Sequence, residues 1–377
     1  MRIGVDGGCW TNRRGYGRYL RELVAALARI DRSNEYVVFL DSGADTAEPW
    51  PAPFEPRFVP TRVETAQAAR ADGRRSIPDL LRMSHAVARE RFDVFFFPSV
   101  YSYFPLFGGS PALVGVHDTI AENFPQHAFA SRSQERNWRA KVRLALWQAR
   151  RCLTVSEHSR RSIERVYGFP AARIDVVHEA AAAVFAPSRE PREDFILYAG
   201  GISPSKNLPV LVEAFACMKE CTPETQLVLA GDYRGDRFRG CHDEIVAQVQ
   251  SLELGERVRF TGFIPDSELA SLYRRARLFA MPSFDEGFGL PAVEAMACGA
   301  PVVVSSGNAL EEVVGDAGLT AAASDVAALA RAMDRIFADQ ALAAELSAKA
   351  IAQSSRFSWD QTARGVLAAL ERTRQPG

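Results

Sequence analysis

A chain of 377 residues is more than one ordinary hydrophobic core organises and suits two domains. Hydrophobic residues at 47% and charged residues at 24% are the balance of a soluble globular protein, and a net charge of −1 gives no global case for nucleic-acid binding. No apolar run approaches the roughly 20 residues needed to span a bilayer.

In chain order, the N-terminus MRIGVDGG goes straight into a strand without a signal-peptide core. The six cysteines show no C-x-x-C pair and no histidine at zinc spacing. Reduced thiols and the missing leader point to the cytoplasm. Short β-rich runs then alternate with helical patterns, which predicts parallel sheets built from βαβ units. In the first half the strands are expected at Arg2–Val5, Tyr36–Leu40, Val94–Phe97, Ala112–Val116, Cys152–Val155 and Asp175–Val177. In the second they are expected at Phe195–Ala199, Gln226–Ala230, Val258–Thr261, Leu278–Met281 and Pro301–Val304. Helices are expected at Tyr16–Ala28, Leu208–Met218 and Ser267–Arg275; the first carries Tyr19, Leu20, Leu23, Val24 and Leu27 as one stripe. Trp50–Ser76 reads as a long loop, and the small, proline-bearing and charged Ala180–Asp194 as an interdomain linker. The domains are therefore drawn at 1–185 and 186–356.

The stretch Phe284–Pro301, FDEGFGLPAVEAMACGAP, carries the chemistry. An apolar strand end precedes Gly287-Phe288-Gly289, and Leu290 and Pro291 open a helix that Gly299 and Pro301 close. The first N–H groups of such a helix point outward at its electropositive end, where phosphate binds. Glu286 and Glu294 bracket this end, and carboxylates there are suited to hydroxyl groups. The ligand implied carries both phosphate and hydroxyls, as a nucleotide sugar does.

The E-x7-E spacing with GFGLP inside it resembles the retaining glycosyltransferases of family 4, which have the GT-B fold. GYGRY at Gly15–Tyr19, VHD at Val116–Asp118, VSEHS at Val155–Ser159, YAGGISPSKN at Tyr198–Asn207 and FSW at Phe357–Trp359 extend the resemblance over nearly the whole chain. It implies an α/β protein of two Rossmann-like domains with parallel sheets facing across a cleft. The first would bind the acceptor and the second the nucleotide sugar, with a final helix at 357–377 crossing back onto the first. Glu294 would hold the ribose hydroxyls and Glu286 the donor sugar. The backbone of Gly287, Phe288, Gly289 and Leu290 would meet sugar or diphosphate oxygens. Lys206, beside Gly200 and Gly201, would neutralise the diphosphate. His117 would contact the donor sugar with its backbone carbonyl near the reacting centre, and Gly17 would sit in a loop near the diphosphate. Gly201 and Ser205 stand where the family more often has basic residues, so one phosphate contact is either absent or supplied elsewhere, with Arg234 and Arg237 as the candidates.

The implied reaction is transfer of a hexose with retention, with GDP-mannose as the favoured donor and a glycan or polyprenyl-diphosphate-linked oligosaccharide as the acceptor. The nucleotide sugar is a substrate and no cofactor is expected. No D-x-D occurs, so no metal is expected to clamp the diphosphate. The alternatives are a catalytically silent sugar-nucleotide binder and an NAD-binding oxidoreductase; the glycines at 7, 8, 15 and 17 do not make a G-x-G-x-x-G. A hydrolase triad from Ser156, His117 or His158 and Asp118 lacks the G-x-S-x-G elbow, and Ser156 suits a helix cap. The stretch Arg132–Arg165 is locally basic with Trp138 and Trp147 inside it. It reads either as a solvated face with its aromatics in the core or as a contact with the inner membrane.

Overall fold

The computed structural model describes residues 1–12, 15–43, 50–62, 76–233 and 241–375. The chain divides into two compact units, Met1–Glu179 with Trp359–Gly377, and Ala180–Ser358.

Among the described residues the first unit holds seven parallel strands. They are β1 (Arg2–Asp6), β2 (Glu35–Asp41), β3 (Phe54–Val59), β4 (Val94–Phe97), β5 (Ala112–Gly115), β6 (Ala149–Thr154) and β7 (Ile174–Val176). Their spatial order is β3-β2-β1-β4-β5-β6-β7. The second unit holds β8 (Glu193–Ala199), β9 (Gln226–Ala230), β10 (Val258–Gly262), β11 (Ala276–Met281), β12 (Val302–Ser305) and β13 (Gly318–Ala321). Their order, β10-β9-β8-β11-β12-β13, repeats that of the first sheet. Runs such as the fully buried VFFF of β4 explain the arrangement, because a parallel sheet is covered on both faces and rewards continuous apolar sequence. In each sheet the order reverses once, between β1 and β4 and between β8 and β11. Loops leaving the carboxyl ends of those neighbours diverge, which opens a crevice there for a ligand.

Helices cover the sheets by the stripes the sequence shows. Gly15–Ile30 buries Tyr19, Leu20, Leu23, Val24 and Leu27. Helix Trp359–Arg374 belongs to the first unit: Arg29 reaches Asp360 at 2.6 Å and Arg372 reaches Asp175 at 2.8 Å.

Three expectations need correction. Trp50–Ser76 is not all loop, since Phe54–Val59 forms β3 beside β2. Pro56 and the charged residues around it hid this strand, and they are tolerated because β3 is an edge. The other edge, β13, was also not foreseen, because a four-residue GLTA has too little apolar signal. Ala180–Asp194, expected as an interdomain linker, starts at the boundary between the units but is packed into the second. Phe185 is buried against Tyr273, and Arg274 donates to the Ala186 and Val184 carbonyls at 2.7 and 3.0 Å. Arg192 binds the Ala276 carbonyl at 2.7 Å and also the Gly299 carbonyl.

Candidate functional site

In the second unit the loops after β8 and β11 leave the neighbouring strands at the point where strand order reverses. The first ends in a tight turn, Pro204–Lys206, followed by Asn207 in the left-handed region at φ 56°. Asparagine tolerates that conformation better than most residues. Its buried amide donates to the Pro282 carbonyl at 3.0 Å and the Ala323 carbonyl at 2.6 Å. The Phe284 N–H donates to the Ser205 carbonyl at 3.0 Å. Lys206 Nζ lies 2.7 Å from Glu286 Oε1, with the lysine side chain 21% exposed and the glutamate 9%. Three bonds thus lock the two loops together, and the last pairs two predicted site residues distant in sequence.

Gly200 and Gly201 lie in the same loop. The Gly200 N–H donates to the Ala230 carbonyl, and Tyr198 donates to the Gly201 carbonyl at 2.8 Å. Burial, and after it the nearby Glu286 carboxylate, holds the Tyr198 phenol well above its ordinary range, so it acts as a neutral donor. Three residues before Glu286, the Ser283 carbonyl accepts from Ser305 Oγ at 2.5 Å and Asn308 Nδ2 at 3.3 Å. Asn308 also caps the helix Ala309–Val314.

Gly289 opens the helix Leu290–Ala297 at φ 97°, and no side chain caps it. A Cβ at Gly289 would lie 2.3 Å from Leu310 Cδ2, so a larger residue fits neither the conformation nor the space. Pro291 sits in the first turn. The other end closes as a Schellman turn, with Gly299 N–H on the Met296 carbonyl and Ala300 N–H on that of Ala295, both at 2.9 Å. Phe288 is buried, with its ring edge-on to Phe357. Glu294 does not lie in the first turn, where its acidity would complement the helix dipole. It stands one turn further on, 2% exposed, and accepts from Tyr273 OH at 3.2 Å. The structure therefore removes the dipole explanation for this carboxylate. Arg234 and Arg237 lie outside the described residues.

In the first unit, Gly17 is buried in the helix that follows β1, and a Cβ there would fall 1.8 Å from the Asn12 carbonyl oxygen. His117 follows β5 and is 7% exposed. Its Nε2 lies 2.9 Å from the Pro98 carbonyl and its Nδ1 3.1 Å from Glu179 Oε1. Its own carbonyl accepts from Ser159 Oγ at 2.8 Å. Asp118 accepts from Tyr16 OH at 2.9 Å and from the Ile120 N–H at 3.1 Å, so it builds the turn. Ser156 caps the helix Glu157–Tyr167, accepting from the Ser159 N–H, as expected of a capping serine. Sequence reading missed Glu179, Tyr273 and Asn308. Only Asn308 carried a signal, as a cap residue before an apolar helix.

The basic stretch resolves into two classes. Arg139 pairs with Glu135 at 2.8 Å, Arg151 with Asp175 at 2.6 Å and Arg160 with Glu157 at 2.6 Å. Lys141 donates to the Tyr101 carbonyl and lies over the Trp138 ring, while Arg150 and Arg165 serve acceptors on other elements. Arg132, Arg136 and Arg143 instead lie exposed on one face of Arg132–Gln148, with Leu144 and with Trp147 at 79% exposure. Trp138 is core, and Trp147 is not.

Comparison with known proteins matches residues 182–353 to the family described as Glycosyl transferases group 1 and residues 13–181 to Glycosyltransferase Family 4. The chain is 34% identical over 266 residues to the O-antigen chain mannosyltransferase B of Escherichia coli, a match covering 66% of this chain and 67% of that protein. It is 35% identical over 185 residues to the E. coli serotype-specific mannosyltransferase WbdA, covering 48% of this chain and only 22% of that longer enzyme. Among solved structures, the sucrose-phosphate synthase of Thermosynechococcus elongatus superposes with a TM-score of 0.76 at 22% identity, over 99% of this chain and 98% of that one. Identity that low shows the fold, which is GT-B.

Asn207→Asp tests the loop lock. The carboxylate cannot donate, and it would face two carbonyl oxygens. The variant should lose about 3 kcal/mol at pH 8 by urea denaturation. The deficit relative to wild type should shrink at pH 5, where a buried carboxyl takes up a proton and can donate once. An equal deficit at both values would show that the amide is not the clamp.

Proposed function

The chain belongs to the group 1 and family 4 glycosyltransferases, and from that premise we propose that it moves a mannosyl unit from GDP-mannose to a hydroxyl of a lipid-linked polysaccharide, with retention at the anomeric carbon. The observation that carries the reading is the Lys206–Glu286 pair, set between the β8 and β11 loops beside the uncapped helix at Leu290. Lysine and a helix N-terminus suit a diphosphate, and carboxylates suit hydroxyls. The names of the two relatives favour mannose and an O-antigen-type acceptor.

In this reading Lys206 offsets charge as it builds on the leaving diphosphate. Glu286 accepts from sugar hydroxyls and also keeps Lys206 aimed. Glu294 accepts from the ribose diol while Tyr273 fixes its second oxygen. The bond from the anomeric carbon to the phosphate oxygen breaks, the acceptor oxygen bonds on the same face, and the leaving phosphate takes the acceptor proton. His117 contacts the donor sugar, and Gly17 lies in a loop near the diphosphate. The protein works in the cytoplasm without a metal. Arg132, Arg136, Arg143 and Trp147 rest against the anionic inner leaflet, where the lipid-linked acceptor lies. The oxidoreductase reading gains nothing from the loop after β1, which lacks the dinucleotide fingerprint.

A thermal-shift screen with GDP-, UDP-, dTDP- and ADP-sugars checks the donor. GDP-mannose at 100-fold above its Kd should stabilise the wild type by about 3 kcal/mol, and Glu294→Ala by less than half of that. Equal stabilisation of both removes Glu294 from the site, and binding without slow GDP release supports the silent binder. Turnover should persist in EDTA; a loss that magnesium restores refutes metal independence. Arg136→Glu, Arg143→Glu and Trp147→Ser combined should weaken binding to phosphatidylglycerol vesicles by at least about tenfold. Unchanged co-sedimentation would discard the membrane face.

A further inference from the structure

His117 is held from two sides by groups that act as acceptors. The Pro98 carbonyl can only accept, so Nε2, 2.9 Å away, carries a hydrogen. Gly115 makes that approach possible, because a Cβ there would lie 2.3 Å from the Pro98 oxygen. On the other side Nδ1 lies 3.1 Å from Glu179 Oε1, and both residues are buried, at 7% and 6% exposure. Two bare lone pairs at that distance in a dry site repel each other. A proton therefore lies between ring and carboxyl, whichever of them owns it. The rings of Tyr16 and Tyr19 stand edge-on to the imidazole at 5.3 and 4.6 Å, and the Asp118 carboxylate is taken up by Tyr16.

Glu179 is itself fixed. It is the last residue of the first unit before the chain enters the second. The carbonyl of the preceding His178 accepts from Thr362 Oγ1 at 2.7 Å, from the returning helix Trp359–Arg374. Gly365 of that helix leaves no room for a Cβ, which would come within 2.8 Å of Val177.

We propose that Glu179 is the positioning residue for His117, clamping the imidazole between the outgoing chain and the Pro98 carbonyl so that it meets the donor sugar in one orientation. The proposal rests on the reading that His117 faces the donor. Both ring nitrogens are engaged, so His117 acts as a fixed polar wall of the site and not as a proton acceptor. Its carbonyl is held by Ser159 at the same time.

The test uses full-length Glu179→Ala, Glu179→Gln, Glu179→Asp and His117→Ala. One readout is the ¹⁵N–¹H spectrum of the His117 ring, and the other is GDP release from GDP-mannose. Glu179→Ala should remove the hydrogen bond at Nδ1 and shift that nitrogen's resonance away from its wild-type position. It should lower kcat about 30-fold while KM for GDP-mannose stays within about threefold, the pattern of an orienting partner lost. Glu179→Gln can donate its amide to Nδ1 and should stay within about fivefold of wild-type kcat. Glu179→Asp keeps the carboxyl but falls short by one methylene, and should behave like alanine; it carries the test should Glu179→Ala not fold. An unchanged ring spectrum in Glu179→Ala overturns the clamp. Loss of turnover in His117→Ala beside wild-type turnover in Glu179→Ala overturns the positioning role alone. Full turnover in His117→Ala overturns the reading of His117 and the proposal with it.

Discussion

The contact between Lys206 and Glu286 is the constraint around which the second unit's loops are arranged. One residue follows β8 and the other β11, and these strands are neighbours only because the sheet order reverses between them. A pair with side chains 21% and 9% exposed adds little to net stability, since desolvation offsets most of its attraction. Breaking it is another matter, because a buried charge would lose its partner, at a cost of about 3–5 kcal/mol. The pair is better understood as preorganisation. It holds a cation and a carboxylate at fixed places on a rigid strand edge before any ligand arrives, so neither has to be gathered at the moment of reaction. The Asn207 amide and the Phe284 N–H do the same for the backbone on either side.

The first unit uses a different material for the same end. Around His117 the fixing groups are aromatic edges, a carbonyl and one carboxylate. Burial, and after it Asp118 for Tyr16 and Glu179 for Tyr19, holds both phenols well above their ordinary range. They therefore stay neutral.

Much of this was legible because strands ending in glycine-rich loops announce themselves. VFFF, VVVS and FILYA could only be buried strands, and G-F-G-L-P could only be a turn opening a helix. Glu286 and Lys206 could be picked out by motif, although nothing in the sequence said they touch. What stayed hidden had physical reasons. Proline and charges disguised the edge strand β3, where half the backbone needs no partner. Glu179 sits before a run of alanines, with no periodicity to mark it, and only the third dimension brings it to His117. Trp147 looked like core by composition, yet the helix phase turns it outward, one position beyond the stripe of Trp138, Val142 and Leu146.

The returning helix Trp359–Arg374 also bears on synthesis. It packs against Gly15–Ile30 and against β4, β5 and β6, and its Arg372 shares Asp175 with Arg151. The first unit is thus discontinuous, whereas Ala180–Ser358 is one uninterrupted span. On the ribosome the N-terminal sheet emerges first but lacks one of its covering helices, and the surface that Trp359–Arg374 will bury waits while some 180 further residues are translated. The later-made unit can finish folding earlier, so the order of maturation runs opposite to the order of decoding.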